Sequence, residues 1–227
     1  MKKLVSMILV GVMVLSWCFG MAYAESISDE KEILQLENSA SELKEYGILK
    51  GDPDGNLRLD DKITRAEAIA LLIRANAQMN EIAQRELLDI KFNDVEGHWA
   101  VQEICLAHQN GIVDGTSETT FEPERNVTNA EFIKMIVTLL GYKPMTERMG
   151  GYPGGYVITA NQRGITEGLN LKLDADAVRS DVVKMIANSL DIPIMQQTGF
   201  GEDMEYAVMD GKNGVKLITL RTILEGR

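Results

Sequence analysis

Cysteine is nearly absent from this chain. Only two of its 227 residues are Cys. Cys18 falls in a leader-like segment and Cys105 stands alone after it, so the processed chain has no internal disulfide to form. Cys105 has apolar neighbours in a helical pattern, which suits a small buried hydrophobe. Histidine is equally scarce, limited to His98 and His108. Cys105 and His108 share a helical face by spacing, but zinc needs further ligands at matching intervals. There is no Gly-x-Ser-x-Gly elbow, no Walker loop and no zinc-protease motif. No pair of carboxylates stands out as acid and base. The sequence therefore predicts no catalysis, no metal and no cofactor. Asp52-x-Asp54-x-Asn56 opens like a calcium loop, but Leu57 and Ile63 stand where such a loop needs glycine and glutamate. A turn is the better reading.

Positive charge is also in short supply. Lys and Arg number 23 against 34 Asp and Glu, a formal net charge of -11. The mean field of such a chain repels phosphate, which argues against a general nucleic-acid or anionic-lipid binder. Binding an anion would require a local cluster of arginine. Long apolar runs are limited to one, Leu4 to Phe19, preceded by Lys2 and Lys3 and followed by Ala22-Tyr23-Ala24. This reads as a secretory signal over residues 1–24, cut after Ala24. It is short for a membrane anchor, and Trp17 beside Cys18 disfavours a lipoprotein signal. No later stretch is long enough to span a bilayer. The expected product is exported, and either soluble or held at the cell surface by something other than a helix in lipid.

The chain repeats itself. Gly47-Ile48-x-x-Gly51 recurs as Gly111-Ile112-x-x-Gly115 and Gly164-Ile165-x-x-Gly168. Downstream stand Ile63-Thr64-Arg65-Ala66-Glu67, Val127-Thr128-Asn129-Ala130-Glu131 and Ala177-Val178-Arg179-Ser180-Asp181. Thr64 with Glu67, and Thr128 with Glu131, have capping-box spacing. Val178 cannot cap, so the third helix must start differently. After each start, apolar residues fall on one helical face: Ile69, Leu72 and Ile73; Ile133, Ile136 and Val137; Val183, Ile186 and Ala187. The glycine before each isoleucine suits a helix C-cap with positive φ, and Asp52-Pro53-Asp54-Gly55 is a turn. Each unit reads helix, glycine stop, turn-bearing loop, capped helix. One such unit buries little surface, whereas three together share a core.

These residues resemble the S-layer homology (SLH) family. Phe92-Asn93-Asp94-Val95-Glu96-Gly97-His98-Trp99-Ala100 is similar to its opening motif and Gly111 to Gly115 to its middle. Phe121-Glu122-Pro123 with Val127 to Glu131 is similar to its end. The first copy keeps Thr64 to Glu67 without the aromatic opening. The third is divergent but keeps Arg179 and the run to Pro193. The resemblance implies a mainly α fold with repeats over 25–90, 91–148 and 149–197. It arranges them as a pseudo-trimer around a central helical bundle, with grooves between repeats. It also implies a noncatalytic function: anchoring an exported protein to the cell wall by binding secondary cell-wall polysaccharide linked to peptidoglycan, often bearing pyruvate ketals.

Under that resemblance the candidate ligand residues are Arg65, Arg179, Asp94, Trp99, Asn129, Gly51, Gly115 and Gly168. Arginine pairs with a ketal carboxylate through two parallel hydrogen bonds. Arg65 and Arg179 stand in the first turns of their helices, where backbone N–H groups add positive potential. At a Debye length of about 8 Å, a local arginine outweighs the distant acids. Each residue also has a plainer role: an acid partner for either arginine, a core position for Trp99, a helix cap for Asp94, and backbone geometry for the three glycines. Asn129 takes the arginine's place in the second copy and can hydrogen-bond a sugar but not neutralise a carboxylate.

The tail, 198–227, reads as a β-hairpin. Glu205 to Met209 and Val215 to Leu220 flank a loop over 210–214, with Met195 to Gly201 as a connecting loop. A lone hairpin is marginal, so it should dock on the helices or pair with another chain. The alternative reading is accordingly a structural or assembly protein of the cell surface that binds protein partners through this tail.

Overall fold

The computed structural model describes residues 30–85, 89–199, 205–212 and 214–226, so the signal segment lies outside the described residues. The chain divides into two units, Met1–Ser39 and Ala40–Arg227. In the first, residues 30–39 are helical, and Ile33 and Leu34 are exposed. The second opens on helical residues 40–45 (α1). There follow α2 (Arg65–Ala75), α3 (Ala77–Arg85), α4 (Val101–Gln109), α5 (Asn129–Leu139), α6 (Lys143–Arg148), α7 (Gly154–Arg163) and α8 (Arg179–Ser189). Strands β1 (Met195–Gln197) and β2 (Tyr206–Val208) and helix α9 (Leu220–Glu225) complete it. The protein is mainly helical with a small two-stranded C-terminal sheet.

Local chemistry sets the helix ends. Thr64 Oγ1 accepts from Glu67 N–H while Glu67 accepts from Thr64 N–H, and Thr128 and Glu131 repeat the arrangement. Val178 makes no side-chain cap. Three helices stop in the same way. Gly47, Gly111 and Gly164 have φ of 71°, 66° and 79°. Each is followed by a buried isoleucine whose N–H reaches back to Leu43, Ala107 or Ala160 O at 2.9 Å. This is a Schellman stop, and the isoleucine supplies its hydrophobic contact.

The segments before α2, α5 and α8 join in a closed ring. Ile63 N–H donates to Ala177 O (3.1 Å), Ala177 N–H to Val127 O (2.8 Å) and Val127 N–H to Ile63 O (3.0 Å). The first N–H groups of each helix are satisfied by the loop before another one. Arg65 donates to Arg125 O, Asn129 to Ala175 O and Arg179 to Asp61 O. Backbone from elsewhere in the ring thus does at Val178 what a threonine helps do at the other two starts. Helix α2 packs on α5 and α8. Ile69, Leu72, Ile73, Ile133, Ile136, Val137, Val183 and Ile186 are all buried there.

The tail hairpin exists, but its partner strand is not the expected one. β2 pairs antiparallel with β1, Met195 opposite Val208, so the segment read as a connecting loop is a strand. The 215–220 segment forms no strand of its own but meets the end of β2, through a bridge from Leu217 to Asp210 and Ile218 N–H donating to Met209 O (2.9 Å). Leu220 then starts α9, whose cap Thr219 exchanges hydrogen bonds with Thr222. The tail docks on the helices. Met195 N–H donates to Leu140 O (2.8 Å) and Arg221 N–H to Leu190 O (2.9 Å). The Arg221 guanidinium holds both Asp191 oxygens, Glu42 Oε1 (2.6 Å) and Tyr46 OH (3.0 Å). Free Cys105 is buried, as its neighbours predicted.

Candidate functional site

Two clefts of similar size open beside α2 and α5. The first, about 200 Å³, lies between the 50–58 loop, the outer face of α2, Trp99 and Arg179. The 50–58 loop is held by its own turn, with Asp52 Oδ1 accepting from Asp54 N–H and Asn56 N–H. Gly51 is required because a Cβ there would stand 2.8 Å from the Gly55 carbonyl. Arg179 reaches this loop through Nη2 to Lys50 O (3.2 Å), and its Nη1 lies 3.9 Å from Glu67 Oε1. Its Nε is buried without a partner. Trp99, two residues ahead of α4, is 56% exposed and lines the cleft. The core alternative for it is thereby corrected. His98 stacks on the indole at 5.4 Å. Its Nδ1 accepts from Ala100 N–H, which leaves Nε2 protonated to donate to Glu124 at 2.7 Å.

The second cleft, about 220 Å³, is lined by Arg65, the 112–116 loop, the outer face of α5, Arg125 and Tyr152. Tyr152 stands two residues ahead of α7, as Trp99 does ahead of α4. Arg65 is 4% exposed. It donates from Nε to Phe121 O (3.1 Å) and from Nη2 to Asp114 O (3.0 Å). Its guanidinium lies 4.4 Å from the Phe121 ring centre and 3.6 Å from Glu131 Oε1. Burial pushes this guanidinium below its ordinary value. Of its two sequence readings, pairing with an acid is the one the geometry displays.

Arg65 and Gly115 thus meet in one cleft, and Arg179, Trp99 and Gly51 in the other. Asp94, Asn129 and Gly168 line neither. Asp94 does not cap α4, whose N-cap is Ala100. Its carboxylate accepts Phe121 N–H (2.9 and 3.0 Å) and Glu122 N–H (2.7 Å), tying the opening motif to the loop before α5. Asp94→Ala is expected to lower unfolding free energy by about 2 kcal/mol, since two N–H groups lose a charged acceptor. Urea titration measures this, and Asp94→Asn should recover part of it. Asn129 is 4% exposed, and its Nδ2 donates to Lys172 O (2.9 Å). Gly168 serves the backbone with φ of 73°.

Charge pairing separates the clefts. In the second, Arg125 is held by Glu131 (2.7 Å) and Glu122, and Lys134 by Asp114 (2.6 Å). Lys134 holds Asp114 below its usual value. Burial alone would raise Glu131, but Arg125, the Thr128 N–H and Arg65 outweigh it and the carboxyl sits low. A depressed carboxyl stabilises the fold above its unfolded value and loses that contribution as pH falls through its folded value. Stability is therefore expected to be level near neutrality and to decline below about pH 4.5. Glu131→Gln should flatten the decline in a thermal-melt series across pH.

Sequence reasoning passed over Arg74, Lys134 and Tyr152 as cleft residues. The signal was their position on the outer face of the capped helices, or just ahead of a helix, where the apolar pattern gives no reason for a large polar or aromatic group. Among the described residues, no group of three or more His, Cys, Asp and Glu is placed to hold a metal, and no helix is long and apolar enough to cross a membrane.

Helix pairs joined through a backbone ring, with charged and aromatic clefts beside them, define a repeat-built helical module. Residues 26–69 and 91–133 match the family model of the S-layer homology domain. The chain is 30% identical over 215 residues to the Middle cell wall protein of Brevibacillus brevis, covering 92% of this chain and 20% of that one. It is 28% identical to the Surface layer protein of Brevibacillus choshinensis, over 92% of this chain and 19% of that one. A third relative, the Cellulosome-anchoring protein of Acetivibrio thermocellus, is 30% identical over 44% of this chain and 23% of its own length. The chain spans about a fifth of the length of these relatives.

Proposed function

We propose that this protein is a noncatalytic cell-wall anchor of three S-layer homology repeats, the third a divergent copy over 149–197. It is exported and held at the cell surface by secondary wall polysaccharide bound in the clefts. The pseudo-threefold reading is supported by the ring through Ile63, Val127 and Ala177 and by the three matching Schellman stops. The observation that carries the binding role is the first cleft. An exposed Trp99 stands beside Arg179 there, in a chain whose net charge is -11. An indole face suits the apolar side of a sugar ring, and a guanidinium suits a pyruvate-ketal carboxylate.

The test is cosedimentation of the processed protein with wall sacculi before and after chemical removal of the secondary polysaccharide. Wild type is expected to bind only the intact walls. Trp99→Ala and Arg179→Ala are expected to bind at least tenfold more weakly while keeping their circular dichroism. Equal binding to stripped sacculi would redirect the reading to peptidoglycan. No binding to native walls would favour the assembly role and its protein partners, with the tail surface as the place to look.

A further inference from the structure

We propose that the two clefts are unequal and that the first holds the anionic group of the glycan through Arg74 acting with Arg179, while the second binds a carboxylate at least tenfold more weakly. This rests on the wall-polysaccharide reading above and goes beyond it by assigning a residue that nothing else marks. Arg74 lies in the last turn of α2 and lines the first cleft together with Arg179. Among the described residues it makes no hydrogen bond or ion pair, although it is half-buried. Arg179 has a buried Nε with no partner, and its acid contact to Glu67 is long, at 3.9 Å. A third arginine of this cavity, Arg58, is held by Asp61 at 2.6 Å, which leaves Arg74 and Arg179 as the two guanidiniums there with donors to spare. Burial pushes Arg74 below its ordinary value; Glu103 on α4 opposes that and Arg179 adds to it. A bound carboxylate would offset the cost of the buried charge by pairing with it and would cancel the mutual repulsion.

The second cleft has no counterpart. Thr138 stands at the position aligned with Arg74 and is buried. Arg65 gives two N–H groups to backbone carbonyls and already faces Glu131 at 3.6 Å, and Arg125 and Lys134 are each closed by an acid at 2.7 and 2.6 Å. An incoming carboxylate there must displace an existing partner, which cancels most of its gain.

The experiment is calorimetric titration of the processed full chain with the methyl glycoside of a hexose bearing a pyruvate ketal, beside the methyl ester of the same compound. Wild type is expected to show one tighter site for the acid. Arg74→Gln should weaken that site tenfold or more with an unchanged melting midpoint, and the ester should bind wild type and Arg74→Gln alike. Lys134→Gln and Arg125→Gln should change the tighter site less than twofold. If Arg74→Gln melts early, Arg74→Met keeps the packing of the stem and serves in its place. A folded Arg74 variant that binds the acid within twofold of wild type overturns the assignment and leaves the anchor reading standing, as does an equal loss in Lys134→Gln. Wild type that sediments with walls yet binds neither compound overturns the pyruvylated-glycan reading and this assignment with it.

Discussion

Arg65→Ala is expected to destabilise the protein by about 3–5 kcal/mol, the range for removing one partner of a buried charged network. The side chain is 4% exposed and does four jobs at once. It satisfies Phe121 O and Asp114 O, faces Glu131 and covers the Phe121 ring. Alanine leaves two carbonyls short of a donor and a part-buried carboxylate with one cation fewer. Arg65→Lys should recover little, because one ammonium cannot reach both carbonyls and also lie flat on the ring. Urea unfolding with a constant m-value would measure the loss. A loss under 1 kcal/mol would mean that water replaces the guanidinium, and that Arg65 is a surface cation after all. By contrast Arg179, with one carbonyl contact and a long acid contact, should cost less stability and more binding.

Gly115→Ala is expected to be comparably severe, at about 3 kcal/mol, the upper end of the usual overpacking range. A Cβ there would run into Ser117 O and would lie 2.5 Å from Phe92 Cε1 and 2.7 Å from Thr120 O. None of these neighbours can yield easily. Thr116 and Ser117 N–H both donate to Thr120 O, and Phe92 is buried against Phe121 and His108. Gly47→Ala supplies the contrast. Its φ is +71° but nothing lies within 4 Å of its Cβ position, so only the left-handed backbone term of about 1–2 kcal/mol applies. Thermal melts should rank Gly115→Ala below Gly47→Ala. An equal fall would mean that the 115–120 loop shifts to make room.

The parts legible in the sequence are those fixed by short-range chemistry. A threonine and a glutamate three residues apart can satisfy each other's N–H groups wherever the helix ends up, so the starts of α2 and α5 follow from Thr64, Glu67, Thr128 and Glu131. Glycine before a buried isoleucine is equally local, and the three stops occur where expected. The tail hairpin is legible but its strand partner is not, because strands of three residues are chosen by what they dock on. Ile194 N–H donates to Ile218 O, Ile218 N–H to Met209 O and Met209 N–H to Ile194 O, so the segment around Ile194 shares the end of β2 with 215–220. No periodicity in either segment encodes that choice. α9 carries only a faint sequence signal, because its cap partner is Thr222 rather than a glutamate. In the clefts, residue types were legible but allegiances were not. Sequence marks Arg65 and Arg179 alike as first-turn arginines, and only packing makes one a buried strut and leaves the other with an idle Nε.

A chain made from its amino end meets a delay built into the ring of Ile63, Val127 and Ala177. Ile63 N–H has its acceptor at Ala177, and the first N–H groups of α5 have theirs at Ala175 and Leu173. The two stretches that match the family model end at residue 133, before any of these acceptors has been made. A fragment stopping there is expected to stay partly unfolded, with buried donors unpaired. The whole unit should then fold in one cooperative step once the last segment arrives. Stacked repeats can assemble neighbour by neighbour; a hoop of three has no stable two-thirds.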